Sequence, residues 1–394
     1  MTPNSLAKHL FKIHPEYHVH HLTPSNCNHA AVLSLLQDIV RQGDGLLRMR
    51  ELGLSAEGRS INLVSCGSGS RGILLWSQMH GDETTATLAL IDIFNFLVHC
   101  AAEEVWVGEM LKECSLHFIP LLNPDGAERM QRRTALEIDM NRDARTLATP
   151  EAKILRNVQR RLSPSFGFNL HDQDLSSVGT SSAVSALGLL APAVDMAKHK
   201  PRVRVQAMRV AALIARSMSQ FVEGHIAQYD DAFEPRAFGD SMQSWGTSTV
   251  LIESGHWPGD PEKTFIRKLN FVAILGAIHA ISNYSYQDVD LDWYTNLPQN
   301  GKKMYDIIIR NVTARHASAW SHRVDIGFLR APGQSPYTRS PLLRIEEVGD
   351  LSTCGALELI EGHGRNVSLS TVAVGKTVAL SDILNALQLY HPLT

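Results

Sequence analysis

Short apolar runs alternate with longer segments of helical periodicity through the first 283 residues, and this alternation restricts the fold more than any other feature. Buried strands are predicted over residues 72–78, 115–122, 166–170 and 247–252. Helices are predicted over residues 86–98, 149–162, 203–223 and 260–283. Strands that alternate with helices in this way predict an α/β fold, with a sheet covered by helices on both faces.

The chain changes character after residue 285. A polar segment containing Leu297-Pro298-Gln299-Asn300-Gly301 is typical of a linker. Short apolar runs separated by turns follow it, from residue 304 to residue 380. We therefore predict two domains: a large α/β domain over residues 1–285 and a small β-rich accessory domain over residues 300–394.

Composition excludes several classes of function. The 394 residues include 37 Lys and Arg against 40 Asp and Glu, a net charge of −3, which predicts no nucleic-acid partner. We expect no residue run that is apolar enough and long enough to span a membrane, and no secretory signal. The five cysteines contain no Cys-x-x-Cys pair, so we expect a cytoplasmic protein without disulfides. His18, His20 and His21 are interpreted as a solvated polar segment, and the sequence leaves the oligomeric state open.

Polar side chains follow each of the four predicted strands. They are His80, Asn123, His171 and Glu253. Because open α/β sheets bind ligands beyond the carboxyl ends of their strands, these positions predict a site there. His80 and Glu83 are both good zinc ligands, and on one turn they can converge on a single ion. The alternative is a packed histidine followed by a carboxylate that a helix N-terminus favours.

Five short motifs together resemble the M14-type zinc carboxypeptidases. In chain order they are His80-Gly81-Asp82-Glu83, Asn123-Pro124-Asp125-Gly126, Asp139-Met140-Asn141-Arg142, His171 and Leu251-Ile252-Glu253. The resemblance covers about residues 55–283. It implies a mixed, mostly parallel eight-stranded sheet between helices and a catalytic domain that binds one zinc ion. It further implies hydrolysis of the C-terminal residue from a peptide or peptide-like amide with a free carboxylate.

The resemblance also implies a role for each matched residue. His80, Glu83 and His171 would hold zinc and leave its fourth position for water. Glu253 would be the general base. Asp139 would accept a hydrogen bond from a ligating imidazole and fix its orientation. The structural alternatives are a surface histidine for His171, a salt-bridged carboxylate for Glu253 and a turn residue for Asp139.

Asn141 and Arg142 match the pair that binds the terminal carboxylate of the substrate in this family. A guanidinium can grip that group through two parallel hydrogen bonds, which an ammonium cannot. Arg132 lies where the family places an arginine facing the developing oxyanion. Arg129 and Arg133 are rivals for that position.

Tyr229 is the tyrosine of the loop before Glu253, so the resemblance makes it the residue that caps the substrate. A buried loop tyrosine is the alternative. Asp240 and Arg236 are candidates for the lining of a specificity pocket.

Two further functions compete with a peptidase. Amidohydrolases of the aspartoacylase or succinylglutamate desuccinylase kind act on N-acylamino acids. They share the His-x-x-Glu pair, the later His, the Asn-Arg pair and the Glu, and they carry an extra β domain. The Asn123-Pro124-Asp125-Gly126 segment is more typical of the peptidases and favours that reading. A non-catalytic protein on the same fold would need a missing ligand or base, and none is missing.

Overall fold

A computed structural model describes residues 1–101, 103–315, 321–331, 342–368 and 372–388. The chain forms two compact units. The first comprises Met1–Gln173, Ala186–Ser254 and Lys263–Gln299, and the second comprises Asp174–Ser185, Gly255–Glu262 and Asn300–Thr394. The domain division predicted from the sequence assigns residues 174–185 and 255–262 to the first domain. Both segments are short and irregular, and they carry no apolar period from which their partner could be predicted.

The described residues form the following helices and strands. The helices are α1 Pro3–Tyr17, α2 His29–Gln42, α3 Thr85–Cys100, α4 Val105–Glu113, α5 Pro124–Glu128, α6 Pro150–Leu162, α7 Arg202–Val222, α8 Phe238–Ser244, α9 Thr264–Ser282, α10 Asp292–Thr295 and α11 Leu380–Ala386. The strands are β1 Arg48–Leu54, β2 Ser60–Cys66, β3 Arg71–Ser77, β4 Cys114–Ile119, β5 Phe166–Asp172, β6 Ser177–Val178, β7 Leu187–Leu190, β8 Ile226–Gln228, β9 Ser248–Ser254, β10 Asn300–Gly301, β11 Met304–Arg315, β12 Ser321–Arg330, β13 Leu342–Gly349, β14 Gly355–Glu361, β15 Asn366–Ser368 and β16 Thr377–Ala379.

The first unit is built on an eight-stranded sheet in the order β1-β2-β4-β3-β5-β9-β7-β8. The pairs β3–β4, β3–β5, β5–β9 and β7–β8 are parallel. The pairs β1–β2, β2–β4 and β7–β9 are antiparallel. The prediction of a mixed, mostly parallel sheet in an α/β fold is therefore confirmed.

Helices α3 and α9 are apolar around nearly their whole circumference because they lie in the core of the first unit. Helix α9 is long and apolar enough to cross a membrane by length and composition, but 83% of its most apolar window is buried inside the protein. The expectation that no run of the chain reaches that length and apolarity is therefore wrong for α9. A buried core helix meets the same criterion.

The N-terminal helix α1 is fixed by a buried ionic network that the sequence did not predict. Asp92 on α3 is fully buried and accepts hydrogen bonds from Nε2 of His14 at 3.0 Å and Nδ1 of His18 at 3.3 Å. Arg267 on α9 donates to both oxygens of the same carboxylate. The interpretation of His18 as a solvated residue is therefore wrong, because its ring contacts a buried charge. Since Arg267 already neutralises Asp92, this cluster has no need of a metal ion.

The second unit contains a six-stranded sheet in the order β14-β11-β12-β13-β16, with β15 paired to β11. Strands β6 and β10 form a separate two-stranded ribbon. Alternate side chains such as Ile309, Ile326, Phe328 and Ile345 fill the core of this unit. The β-rich character predicted for the C-terminal segment agrees with these strands. The strand predicted near residues 367–372 is described only as β15, and residues 369–371 lie outside the described part.

Candidate metal centre and active site

Three neighbouring parallel strands of the first unit carry the candidate site. His80 comes three residues after β3, whereas His171 and Glu253 are the penultimate residues of β5 and β9. In the β5–β9 ladder His171 is paired directly with Glu253. Because β3, β5 and β9 run in parallel, their carboxyl ends meet at one edge of the sheet. The sequence predicted that these strand ends converge, and in the structure they do.

The segment after β3 turns sharply because two glycine-containing motifs pack against each other. A Cβ atom on Gly81 would lie 2.0 Å from the carbonyl carbon of Gly126, so only glycine fits there. Oδ1 of Asn123 accepts a hydrogen bond from the Gly126 N–H at 2.9 Å and caps α5. The turn predicted at residues 123–126 is thus the first turn of a helix. Asn123 is used in that cap and is not part of the site.

Glu83 lies between two imidazoles. Its Oε1 is 2.6 Å from Nδ1 of His80, and its Oε2 is 2.7 Å from Nδ1 of His171. The two rings are 4.9 Å apart, and all three side chains are buried. The three potential ligand atoms lie within 4.8 Å of one another. Two histidine nitrogens and one carboxylate therefore face a common point.

This donor set fits zinc. Zinc in catalytic sites is commonly held by three protein ligands of histidine and carboxylate type. Oδ1 of Asp139 lies 3.2 Å from Nε2 of His80. A carboxylate at that nitrogen favours the proton on Nε2 and leaves the lone pair of Nδ1 available to a metal ion, as partners of metal-ligating histidines do. The residues present thus fit a zinc ion held by His80, Glu83 and His171.

The electrostatics of the two glutamates differ. Burial opposes ionisation of Glu83, but the charges and hydrogen bonds of His80 and His171 outweigh it and hold its pKa below the ordinary value. Burial raises the pKa of Glu253 well above the ordinary value, and the negative charge of Glu83 raises it further. Glu83 is therefore a ready anionic ligand, and Glu253 is a carboxyl poised to hold a proton.

One of the three candidate arginines reaches the cluster. Arg132 places NH1 3.0 Å from Nδ1 of His80 and 3.3 Å from Oε1 of Glu83. Its Nε lies 3.1 Å from Oδ2 of Asp139. Arg129 instead bonds Glu57, and Arg133 bonds the carbonyl oxygen of Glu137 at 2.9 Å. Of the three positions that the sequence left open, Arg132 is therefore the one beside the candidate ligands.

Asn141 and Arg142 lie in a short 3₁₀ turn that follows Asp139. The Asn141 N–H donates to Oδ1 of Asp139 at 2.9 Å, and its side-chain Oδ1 accepts from the N–H of Phe238 at 3.0 Å. The side chain of Arg142 is 41% exposed, with Nε 3.7 Å from Oε2 of Glu234. This turn thus places Asp139, the hydrogen-bond partner of His80, close in sequence to the accessible guanidinium of Arg142.

The remaining candidates lie on the segment between β8 and β9. Tyr229 directly follows β8, and its N–H donates to the carbonyl oxygen of Leu189 at 2.9 Å. Arg236 forms a two-point ion pair with Glu234 and is largely exposed. Asp240 is buried, which raises its pKa to about 6, while its Oδ1 accepts from the N–H of Glu234 at 3.3 Å. The predicted roles of Tyr229, Arg236 and Asp240 stay predictions.

Comparison with known sequences agrees with the motifs. The family model described as zinc carboxypeptidase matches residues 32–179, a segment that contains the three candidate ligands but ends before Glu253. A probable carboxypeptidase 2 of Trichophyton verrucosum is 29% identical over 121 residues, which are 30% of this chain and 22% of that protein. The chain thus spans about a fifth of the length of the curated relatives that it matches.

Solved carboxypeptidase structures share the fold. A metallo-carboxypeptidase from Burkholderia cenocepacia superposes with a TM-score of 0.51 at 14% identity, covering 64% of this chain and 68% of that one. Bovine thrombin-activatable fibrinolysis inhibitor, solved in complex with tick carboxypeptidase inhibitor, gives a TM-score of 0.52 at 11% identity, covering 66% and 97%. The resemblance that the motifs predicted is therefore confirmed in sequence and in fold.

Proposed function

Because residues 32–179 match the zinc carboxypeptidase family and the first unit has the fold of its members, we propose that this protein is a zinc-dependent hydrolase. It removes the C-terminal residue from a peptide or a peptide-like amide that has a free carboxylate. The observation that carries the proposal is the convergence of His80, Glu83 and His171 beside Glu253. A non-catalytic relative would be expected to lack one of these four groups.

The chemistry divides between the ion and the protein. When bound by His80, Glu83 and His171, zinc would lower the pKa of a water molecule and so supply a nucleophile at neutral pH. Glu253 accepts a proton from the attacking water and transfers it to the leaving amine. Its position opposite His171 in the ladder and its raised pKa both suit a group that must hold a proton during the reaction. One buried carboxyl can thus serve as base and then as acid.

The arginines orient and stabilise the substrate. Arg142 binds the terminal carboxylate through its exposed guanidinium, and the side-chain amide of Asn141 assists. Arg132 faces the oxygen that becomes negatively charged in the tetrahedral state, and it stabilises that state more than the ground state. Arg132 reaches this position because Asp139 holds its Nε from the other side. Tyr229 covers the bound residue in this proposal.

The second unit also supports a second candidate function, hydrolysis of N-acylamino acids. N-acylamino-acid hydrolases of the aspartoacylase kind carry an additional β domain, and this chain has a six-stranded sheet after residue 300. They use the same combination of ligands and base. In both substrates the free carboxylate lies on the amine side of the scissile amide. The two proposals therefore differ in the acyl side, which is a peptide in the first case and a simple acyl group in the second.

The experiment that separates them uses zinc-loaded full-length protein and two matched libraries. One library contains peptides with varied C-terminal residues, and the other contains N-acylated amino acids. We expect amino acid to be released from the peptide library. Release from the N-acylamino acids alone would favour the second function, and release from neither would contradict both.

A further inference from the structure

The ends of β5 and β9 are joined by a lysine that has no part in the proposed chemistry. Nζ of Lys263 lies 3.0 Å from Oδ2 of Asp172 and 3.4 Å from the carbonyl oxygen of Ser254. Asp172 directly follows His171, and Ser254 directly follows Glu253. One ammonium group therefore contacts the neighbour of a candidate zinc ligand and the neighbour of the candidate base.

The backbone conformation of Lys263 and the burial of its side chain both cost free energy on folding. Its backbone is left-handed, with φ +52° and ψ +29°, in a region that residues other than glycine adopt only where their surroundings hold them. Its side chain is 8% exposed, and a buried ammonium group is tolerated only when it is paired. Asp172 is equally buried and bonds Thr85 through the same Oδ2 at 2.5 Å. Such an arrangement is stable only where several neighbouring contacts hold it in place.

The position of this contact along the strands explains what it can do. Gln173 and Ser254 are the last residues of their segments in the first unit. The β5–β9 ladder ends at the pair Asp172–Ser254, one residue beyond His171 and Glu253. Beyond this pair the Gln173 N–H donates to the carbonyl oxygen of Ser254 at 3.0 Å, and ladders open most readily at their ends. A charged contact across the last pair opposes that opening.

We infer that Lys263 is a positioning residue that holds the ends of β5 and β9 together and so keeps His171 in register with Glu253. The inference rests on the proposed function for the roles of His171 and Glu253. A ligand that drifts from the common point binds zinc less tightly, and a base that drifts from the scissile bond transfers protons more slowly. Zinc affinity and kcat should therefore both depend on Lys263, although it touches neither ion nor substrate.

The test compares three variants of the full chain. Lys263→Met keeps the length of the side chain without its charge, and Lys263→Arg keeps the charge. Lys268→Met is the matched control, because Lys268 lies on α9, which begins directly after Lys263, and its ammonium group packs over the ring of Phe11. Zinc dissociation constants come from competition with a chromophoric chelator, and kcat and KM come from a C-terminal peptide substrate. Circular dichroism gives the folded fraction.

For Lys263→Met we expect zinc affinity to fall about 10- to 100-fold, with a lower kcat and an unchanged KM. Lys263→Arg should retain most of both quantities, and Lys268→Met should match the wild type. A lower melting temperature with wild-type zinc affinity and kcat would mean that Lys263 is merely structural and would overturn the inference.

Lys263→Met leaves Asp172 as an unpaired buried charge, so that variant can fail to fold. The double variant Lys263→Met/Asp172→Asn removes both charges and should fold, yet it should show the same loss of zinc affinity. Wild-type affinity in the double variant would overturn the inference. If the wild type released no amino acid from any peptide, the proposed function would fail, whereas the zinc measurement would still decide the role of Lys263.

Discussion

Oδ1 of Asp139 lies 3.2 Å from Nε2 of His80, on the side of the imidazole opposite to Glu83. A histidine held in this way presents Nδ1 to the ion in a fixed direction and with increased basicity. Asp139→Asn keeps a hydrogen-bond acceptor at that position but removes the charge. We expect its zinc dissociation constant to rise about tenfold, measured by chelator competition. Asp38→Asn, an exposed change on α2, should leave the constant unchanged, and an equal constant in Asp139→Asn would contradict the assignment.

Glu253 is tested by a substitution that preserves shape. Glu253→Gln cannot accept the proton of the attacking water, so kcat should fall by a factor of about 10² to 10⁴. Zinc content should stay at the wild-type level, because the ion is held by His80, Glu83 and His171. Metal analysis and initial rates on the same sample check both statements. Full turnover in Glu253→Gln would exclude the general-base role.

Arg142 is tested with pairs of substrates that differ only at the C-terminus. Arg142→Ala should raise KM for free-carboxylate peptides about 10- to 100-fold, because a charge-assisted hydrogen bond is lost. Arg142→Lys keeps the charge without the two-point geometry and should give an intermediate KM. The same peptides with a C-terminal amide should respond little to either change. If the amidated peptides lost as much as the free acids, Arg142 would not be the carboxylate-binding residue.

The buried carboxyl of Asp240 should make the stability of the protein depend on pH. Its pKa in the folded protein is raised from 3.8 to about 6, mainly by burial, so the fold favours the protonated carboxyl. Its contribution to stability is fully present below pH 3.8 and is lost as the pH rises through about 6. Asp240→Asn should therefore exceed the wild type in free energy of unfolding at pH 8, by at most about 3 kcal/mol.

Thermal unfolding of Asp240→Asn and wild type at pH 4 and pH 8 checks this prediction. The advantage of the variant should be much smaller at pH 4, where the wild-type carboxyl is protonated in the folded protein and close to half protonated in the unfolded chain. An equal difference in melting temperature at the two pH values would show that the substitution acts through packing.

The sequence predicted those parts of the molecule whose signals are local. The strands before His80, His171 and Glu253 are continuous apolar runs, and the residue that follows a buried strand is recognisable from the chain itself. Asn123 was interpreted wrongly because Asn-Pro marks both a turn and a helix N-terminus. The choice of Arg132 over its neighbours required coordinates, since adjacent residues of a loop differ only in where their side chains point.

Features that depend on distant partners were not predictable. Helix α1 has a polar composition and contains Pro15, and its end is fixed by Asp92, 74 residues after His18. Lys263 is separated from Asp172 by 91 residues, and nothing in its own neighbourhood marks it. Both contacts are buried ion pairs, for which a single sequence contains no pairing rule.

The proposed function depends on one zinc ion bound by His80, Glu83 and His171, and metal analysis of purified full-length protein tests this most directly. We predict one zinc ion per chain in the wild type, and loss of that ion in His80→Ala and in His171→Ala. His14→Ala alters the other cluster of histidine and aspartate and should retain the ion. Zinc that persisted in His171→Ala but was lost in His14→Ala would contradict the assigned centre.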